Sequence, residues 1–381
     1  MSGVDLQKLR VVLVHDWLTG MRGGEKVLEA FCRLFPGAPL FTLLHLPGSV
    51  SRLIEDRPIT TSFIQKMPLA ASRYRYYLPL FPRAVESLEL PPCDLVLSSS
   101  HCVAKGVRPP DGALHVSYLH TPMRYVWDMY EAYFGKGRGG LAGRVMPLVR
   151  PYLQRWDVAT SSRVDHFLAN SAHVAGRIRR HYRRGARVIH PPVEVQRFSP
   201  STEVEDYYLV VSALVPYKRV ELAVRACRRL KRRLLVVGKG PELERLRGLG
   251  GGGVEFLGWQ PDQALPGLYA RARALLFPGE EDFGITPVES MAAGRPVVAY
   301  GKGGALETVV PLDDPEGRPP TGVFFAEQSV ESLCAAMEEL EANLERFQPL
   351  QLARHAAGFG GERFLAQMRE CLVEFLAARE G

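Results

Sequence analysis

Two carboxylates, Glu281 and Glu289, are separated by seven residues within the stretch Leu275–Gly304. The apolar run Ala274–Phe277 ahead of them is short and stops at Pro278-Gly279, which marks a buried parallel strand. Thr286-Pro287 then opens a helix, with Thr as N-cap and Pro at its first position. Gly294 closes that helix and Pro296 leads into another strand. Glu281 therefore belongs to the loop at a strand's carboxyl end, and Glu289 to the start of the next helix. Both would address one crevice, beside backbone N–H groups able to hold an anion. The bland alternative is two solvated glutamates on a helix. A Glu pair at this spacing is common in long chains, so the weight rests on the whole block, down to Met291-Ala-Ala-Gly-Arg-Pro-Val297 and the loop Gly301-Lys-Gly-Gly304.

Three other groups have the same placement. Lys218-Arg219 follows the strand Tyr208–Leu214, and two fixed cations there could neutralise a departing diphosphate. His120, within His120-Thr-Pro-Met-Arg-Tyr125, follows directly on the strand His115–Leu119. Gly23 and Gly24 lie in the loop between the strand Val11–Val14 and a helix striped by Val27, Leu28, Phe31 and Leu34. Glycines there let a ligand approach the backbone, and a helix N-terminus favours negative charge. Against each stands a plainer reading: a solvated Lys-Arg pair, a structural histidine, a turn.

Around these groups strands and helices alternate. Further strands are expected at 40–44, 94–98 and 164–169, then at 234–237, 254–257, 297–299 and 323–325, with helices over 146–160, 173–182 and 330–344. Such alternation argues for mostly parallel sheets covered on both faces. The polar segment Glu194–Asp206 reads as a linker, after which the alternation restarts without any repeat of sequence. A chain of 381 residues suits two domains.

Composition narrows the class. Hydrophobic residues make up 46% and charged residues 23%, ordinary for a globular protein. No apolar run is long enough to span a membrane, and the first strand begins too early for a signal peptide, so the expected location is cytoplasmic. Six scattered cysteines, with no C-x-x-C, read as reduced and buried thiols. The net charge of +7 suits a polyanionic partner, but no nucleic-acid motif appears, which sets nucleic acid aside. The G-x-G-x-x-G patterns at 135–140 and 248–253 neither follow a strand nor open a helix, and no Gly-Lys is followed by Ser or Thr. No D-x-D and no G-x-S-x-G is present.

The block Glu281-x7-Glu289 with Met-Ala-Ala-Gly-Arg-Pro-Val resembles the retaining nucleotide-sugar glycosyltransferases of family 4. The resemblance extends through His120, Asn170-Ser171 and Val188–Val193. It implies a GT-B fold: two Rossmann-like domains facing a central cleft, with the C-terminal helix returning to the first. The expected boundaries are 1–196, completed by 359–381, for the acceptor side and 197–358 for the donor side. By resemblance Glu281 lies against the donor sugar, Glu289 holds the ribose hydroxyls, and His120 lies beside the sugar. Gly23, Gly24, Lys218, Arg219, Phe283, Gly284 and Ile285 complete the expected donor-binding set. The family often has an arginine five residues before the lysine, where Ala213 stands here.

With no D-x-D, a metal-free mechanism is expected, with no cofactor beyond the donor substrate. The family's bacterial polysaccharide mannosyltransferases are the nearest in pattern, which makes GDP-mannose the favoured donor and a glycan or polyprenyl-linked chain the acceptor. Two alternatives remain: a GT-B nucleotide-sugar 2-epimerase or hydrolase, and a non-catalytic nucleotide-sugar binding subunit. The segment Ser72–Arg83 mixes arginine, tyrosine and large apolar residues, and Arg179–Arg187 is also basic; both suit peripheral contact with the inner face of the cell membrane.

Overall fold

The computed structural model describes residues 5–130 and 140–380. The glycine pattern that begins at Gly135 therefore lies mostly outside the described residues. The chain divides into two compact units, Met1–Pro192 with Glu362–Gly381, and Val193–Gly361. Near the division Val193 N donates to Phe359 O at 3.0 Å, so both passages between the units are tied together within the second.

Unit 1 holds strands β1 (Val11–His15), β2 (Leu40–Thr42), β3 (Ile59–Thr61), β4 (Leu95–Ser100), β5 (Leu114–Leu119), β6 (His166–Ala169) and β7 (Arg187–Val188). They form one parallel sheet in the order β3-β2-β1-β4-β5-β6-β7. β1, β4 and β5 are buried along their whole length, which explains their continuous apolar character. Alternate side chains serve opposite faces. Val11 and Leu13 join Leu28 and Phe31 of the helix Gly23–Leu34, while Val12 and Val14 join Phe81 and Leu153. The last helix, Gly361–Glu380, covers the first of these faces, with the Phe364 ring 6.2 Å from Phe31 and 5.7 Å from Tyr118.

Unit 2 holds β8 (Tyr208–Val211), β9 (Leu234–Val237), β10 (Val254–Gly258), β11 (Ala274–Phe277), β12 (Val297–Tyr300) and β13 (Gly322–Phe325). Its parallel order is β10-β9-β8-β11-β12-β13. Helix Val220–Leu230 packs with Val330–Ala342, and Ile285–Ala292 with Pro349–Ala357. All six cysteines are free and buried.

Several boundaries depart from the sequence expectation. β3 and β7 are short edge strands with little apolar signal, and neither stands out in the pattern. β8 stops at Val211 although apolar residues continue to Leu214. There the chain meets the loop after β9 backbone to backbone: a Cβ on Gly238 would lie 1.8 Å from Ser212 O, and one on Gly240 2.2 Å from Leu214 O. In each sheet the strand order reverses beside the first strand, between β1 and β4 and between β8 and β11. Loops leaving neighbouring strands in opposite directions open a crevice at such points.

Candidate active site

At the β8/β11 reversal, Lys218 ends the turn Pro216–Lys218, and its Nζ forms an ion pair with Glu281 Oε2. The side chains are only 16% and 20% exposed, so little solvent screens the pair. The glycine loop after β12 sets the Glu281 backbone. Gly304 N donates to Glu281 O at 2.8 Å, and a Cβ at Gly303 would come within 2.4 Å of that oxygen. Gly279 likewise lets its loop touch Lys218, where a Cβ would lie 3.1 Å from the lysine Cα.

The helix carrying Glu289 begins at Ile285, two residues earlier than expected. Gly284, not Thr286, occupies the N-cap, at φ 89°, and Pro287 is the third helical residue. This left-handed backbone turns the chain within one residue, and a Cβ there would meet Phe277 at 2.9 Å. The Phe283 side chain is buried, its ring 5.9 Å from Phe359, and serves packing. Glu289 Oε2 accepts a 2.8 Å hydrogen bond from the buried Tyr269 hydroxyl. Burial pushes the Glu289 carboxyl above the usual carboxylate range, against the opposing pull of Tyr269 and Arg197. Arg219 takes a different course from Lys218. Its Nε donates to Glu221 at 2.6 Å, and its guanidinium reaches Gln328, whose amide donates to Pro278 O at 2.9 Å. It braces the loops beside the Lys218–Glu281 pair.

At the β1/β4 reversal in unit 1, His15 ends β1 and is register partner to Ser99 of β4. Ser99 Oγ lies 3.1 Å from His15 Nδ1 and 2.9 Å from His120 Nε2. The His120 backbone is held from both sides, its N–H by Ser100 O at 2.8 Å and its carbonyl by Asn170 Nδ2 at 3.0 Å. Gly24 backs onto both rings, since a Cβ there would lie 3.6 Å from His15 and 3.7 Å from His120. Gly23 is the first residue of its helix.

Asp16, the next residue after β1, is fully buried. Its two carboxylate oxygens accept the backbone N–H groups of His101, Cys102, Val103 and Ala104 at 2.6–2.9 Å. The donor cluster most suited to an anion in this crevice is thus filled by the chain's own carboxylate. Burial pushes the imidazolium of His101, packed against Trp17, down to about 3, and its Nδ1 lies 3.0 Å from Asp16 Oδ2.

Within their own units, His120, Lys218 and Glu281 lie after strand ends as expected, while Gly24 is the second residue of its helix rather than part of the loop before it, and Glu289 is the fifth residue of its helix rather than near its start. Sequence placement missed Asp16, Glu25, Ser99, Tyr269 and Arg197. The signal available for His15-Asp16 and Ser99 was the one used for His120, a polar side chain at a strand's carboxyl end. Nothing local marks Tyr269.

Residues 194–351 match the family described as Glycosyl transferases group 1. A GDP-mannose-dependent alpha-(1-6)-phosphatidylinositol monomannoside mannosyltransferase of Mycolicibacterium smegmatis is 31% identical over 198 residues, 44% of this chain and 50% of that protein. The chain thus spans about half the length of the curated relatives it matches. Sucrose-phosphate synthase from Thermosynechococcus elongatus superposes with TM-score 0.73 at 19% identity, covering 97% of this chain and all of the other. HepE from Anabaena, solved in complex with UDP, gives 0.70 at 17% identity, covering 96% and 100%. These likenesses show the fold, that of GT-B glycosyltransferase structures.

Proposed function

We propose that this chain, with its Glycosyl transferases group 1 match over residues 194–351, is a retaining hexosyltransferase of family 4 that moves mannose from GDP-mannose to a glycan or polyprenyl-linked acceptor. The observation that carries the reading is the Lys218–Glu281 ion pair at the β8/β11 reversal, with Glu289 on the helix that follows. A diphosphate arriving there competes with Glu281 for the lysine. Lys218 then meets the phosphate charge, and the released Glu281 carboxylate orients the donor sugar. Glu289 takes the ribose hydroxyls with Tyr269 holding its other edge, while His120 steadies the sugar. Charge on the leaving diphosphate is met by Lys218 and the helix start at Ile285, with Arg219 bracing the loops that hold them, without a metal. Departure of the diphosphate on the face the acceptor attacks lets it help remove the acceptor's proton and retains configuration. Mannose is favoured because the mycobacterial relative is a GDP-mannose-dependent mannosyltransferase.

The test is a thermal-shift screen of nucleotide sugars, followed by transfer assays in excess chelator. GDP-mannose should give the largest rise in Tm, and transfer should survive chelation. No stabilisation by any nucleotide sugar overturns the reading; loss of activity restored by magnesium overturns its metal-free part. Within the same screen, Glu289→Gln should weaken bare GDP as well as GDP-mannose. A hydrogen bond from a charged group is worth about 1.5–3 kcal/mol, so affinity should fall roughly ten- to hundredfold. Unchanged GDP affinity removes Glu289 from the ribose site.

We also place the working location at the inner face of the cell membrane. No helix among the described residues is long and apolar enough to cross a membrane. The 72–83 segment packs Tyr74, Leu78 and Phe81 inward but leaves Tyr76 69% exposed, beside exposed Arg73, Arg75 and Arg83. The helix Gly140–Ala159 packs against this segment and exposes Leu148 and Tyr152. In the second basic cluster Arg184 donates to the carbonyls of Ser161, Val164 and Asp165 and Arg187 pairs with Glu374, while Arg179, Arg180 and Arg183 are exposed. The 72–83 surface sets an exposed tyrosine among its exposed arginines and is the membrane candidate. Each basic residue near an anionic surface adds about 1 kcal/mol. Changing Arg73, Arg75 and Arg83 together to Ser should cut cosedimentation with anionic vesicles, and salt should weaken wild-type binding. A wild type that stays in the supernatant at low salt excludes this location.

A further inference from the structure

The transferase reading uses His120 but leaves unexplained the polar side chains sealed beneath it. Ser99 is fully buried and sits between two imidazole nitrogens, at 3.1 Å from His15 Nδ1 and 2.9 Å from His120 Nε2. Its hydroxyl has one proton, so it donates to one ring and accepts from the other. The tautomers of His15 and His120 are therefore coupled through Ser99. Behind His15 stands Glu25, 3% exposed, in the first turn of the helix Gly23–Leu34. Glu25 Oε2 accepts from Arg22 N at 3.0 Å, which leaves Oε1 facing His15 Nε2 at 3.7 Å. That nitrogen is buried and makes no hydrogen bond. The separation exceeds a hydrogen bond, yet across a dry gap a carboxylate still strongly favours a proton on the nitrogen it faces.

We propose that Glu25, His15 and Ser99 form a buried polar chain that fixes the ring orientation and the tautomer of His120. The logic runs outward from the carboxylate. Glu25 faces Nε2 of His15 and favours the ring proton there, which leaves His15 Nδ1 as the acceptor. Ser99 donates to that nitrogen, and its oxygen accepts from His120 Nε2–H. His120 then keeps its lone pair on Nδ1. Burial raises the Glu25 carboxyl, but His15 and the helix N-terminal N–H hold it below the ordinary range overall, which keeps it ionised. The other groups around the chain leave this order intact. His101, its ring 6.0 Å from His15, turns its Nδ1 to Asp16 Oδ2 at 3.0 Å, and Asp16 also accepts from four backbone N–H groups, so both are engaged with each other rather than with the chain. Gly24 closes the chain from above, because its backbone lies against both rings. Glu25, His15 and Ser99 are thus positioning residues, acting on a ligand through His120. This role in turnover rests on the transferase reading; the tautomer does not.

The experiment therefore has two arms on the full-length chain. In the first, protein labelled with 15N-histidine is examined by two-bond 1H–15N correlation at pH 7.5. His15 and His120 signals are assigned from His15→Asn and His120→Asn variants. His120 and His15 should both appear as single Nε2–H tautomers. Ser99→Ala should turn His120 into a tautomer mixture without loss of cooperative unfolding, and Ser99→Thr, which keeps the hydroxyl, should restore the single form. An Nδ1–H tautomer of His120 in the wild type, or one unmoved by Ser99→Ala, overturns the chain. In the second arm, Ser99→Ala should lower kcat for transfer about two- to tenfold, the worth of one hydrogen bond, with KM for the donor little changed and Ser99→Thr recovering the loss. Unchanged kcat alongside a scrambled tautomer overturns the positioning role. If the wild type transfers no sugar, the functional reading fails while the first arm still decides the chain.

Discussion

Lys218→Ala is expected to lower the rate of sugar transfer about 10²–10³-fold, the usual effect of removing one preorganised charge or donor from a site where negative charge develops. The lysine's position supports so large an effect. It ends the turn after β8, its backbone is gripped by the Gly279 loop, and its ammonium is already directed at the loop after β11 through Glu281. Alanine removes that cation and also leaves the recessed Glu281 carboxylate facing the incoming diphosphate without a counter-charge. Arg219 does not substitute, because Glu221 and Gln328 hold its guanidinium. Lys218→Arg should recover part of the rate. Initial rates of nucleoside diphosphate release, together with thermal unfolding of each variant, check this. A Lys218→Ala protein within threefold of the wild-type rate would falsify the assignment.

Lys105→Met should cost about 3–5 kcal/mol of stability, the penalty for breaking a buried ion pair on one side only. Lys105 is fully buried after β4, its Nζ 3.1 Å from Asp157 Oδ1 and donating to Asp157 O at 2.7 Å and Thr160 Oγ1 at 3.0 Å. Burial lowers the affinity of this ammonium for its proton, and Asp157 opposes that. Asp157 Oδ2 also accepts from Trp127 Nε1 and Tyr182 OH, both at 2.8 Å. The pair thus joins the loop after β4 to the long helix Gly140–Ala159 and to the helix Ala172–Tyr182. Methionine fills the volume but strands the carboxylate. Urea denaturation of the full chain measures the loss in the first unit's transition. A loss under 1 kcal/mol would mean that water or a neutral Asp157 relieves the charge.

Part of this architecture was legible in the residues themselves. Ala274–Phe277 and Leu234–Val237 are strands in the structure as they are in the sequence, because a central parallel strand is apolar on both faces and Gly or Pro ends it. For the same local reason His120, Lys218 and Glu281 could be assigned to loops at strand ends, and Glu289 to the helix that follows.

Their partners could not be read that way. Ser99 reaches His120 across 21 positions of sequence, Tyr269 reaches Glu289 across 20, and Asp16 finds its backbone donors more than 80 residues downstream. The tightness of the glycine loops was equally hidden: Gly303, itself at φ 72°, lies against the Glu281 carbonyl, and Gly304 lies against the backbone of Asp282 and Phe283. Thr286 illustrates the limit at one residue: its sequence suits an N-cap, yet the buried Phe283 and the left-handed Gly284 start the helix two residues sooner. The sequence alone determined which residues stand at strand ends, because hydrophobic runs and turn residues act over a few positions. Only the tertiary structure decided which of them touch, because strand order and register bring distant segments together, and a desolvated polar group must find its partner among whatever the neighbouring strand presents.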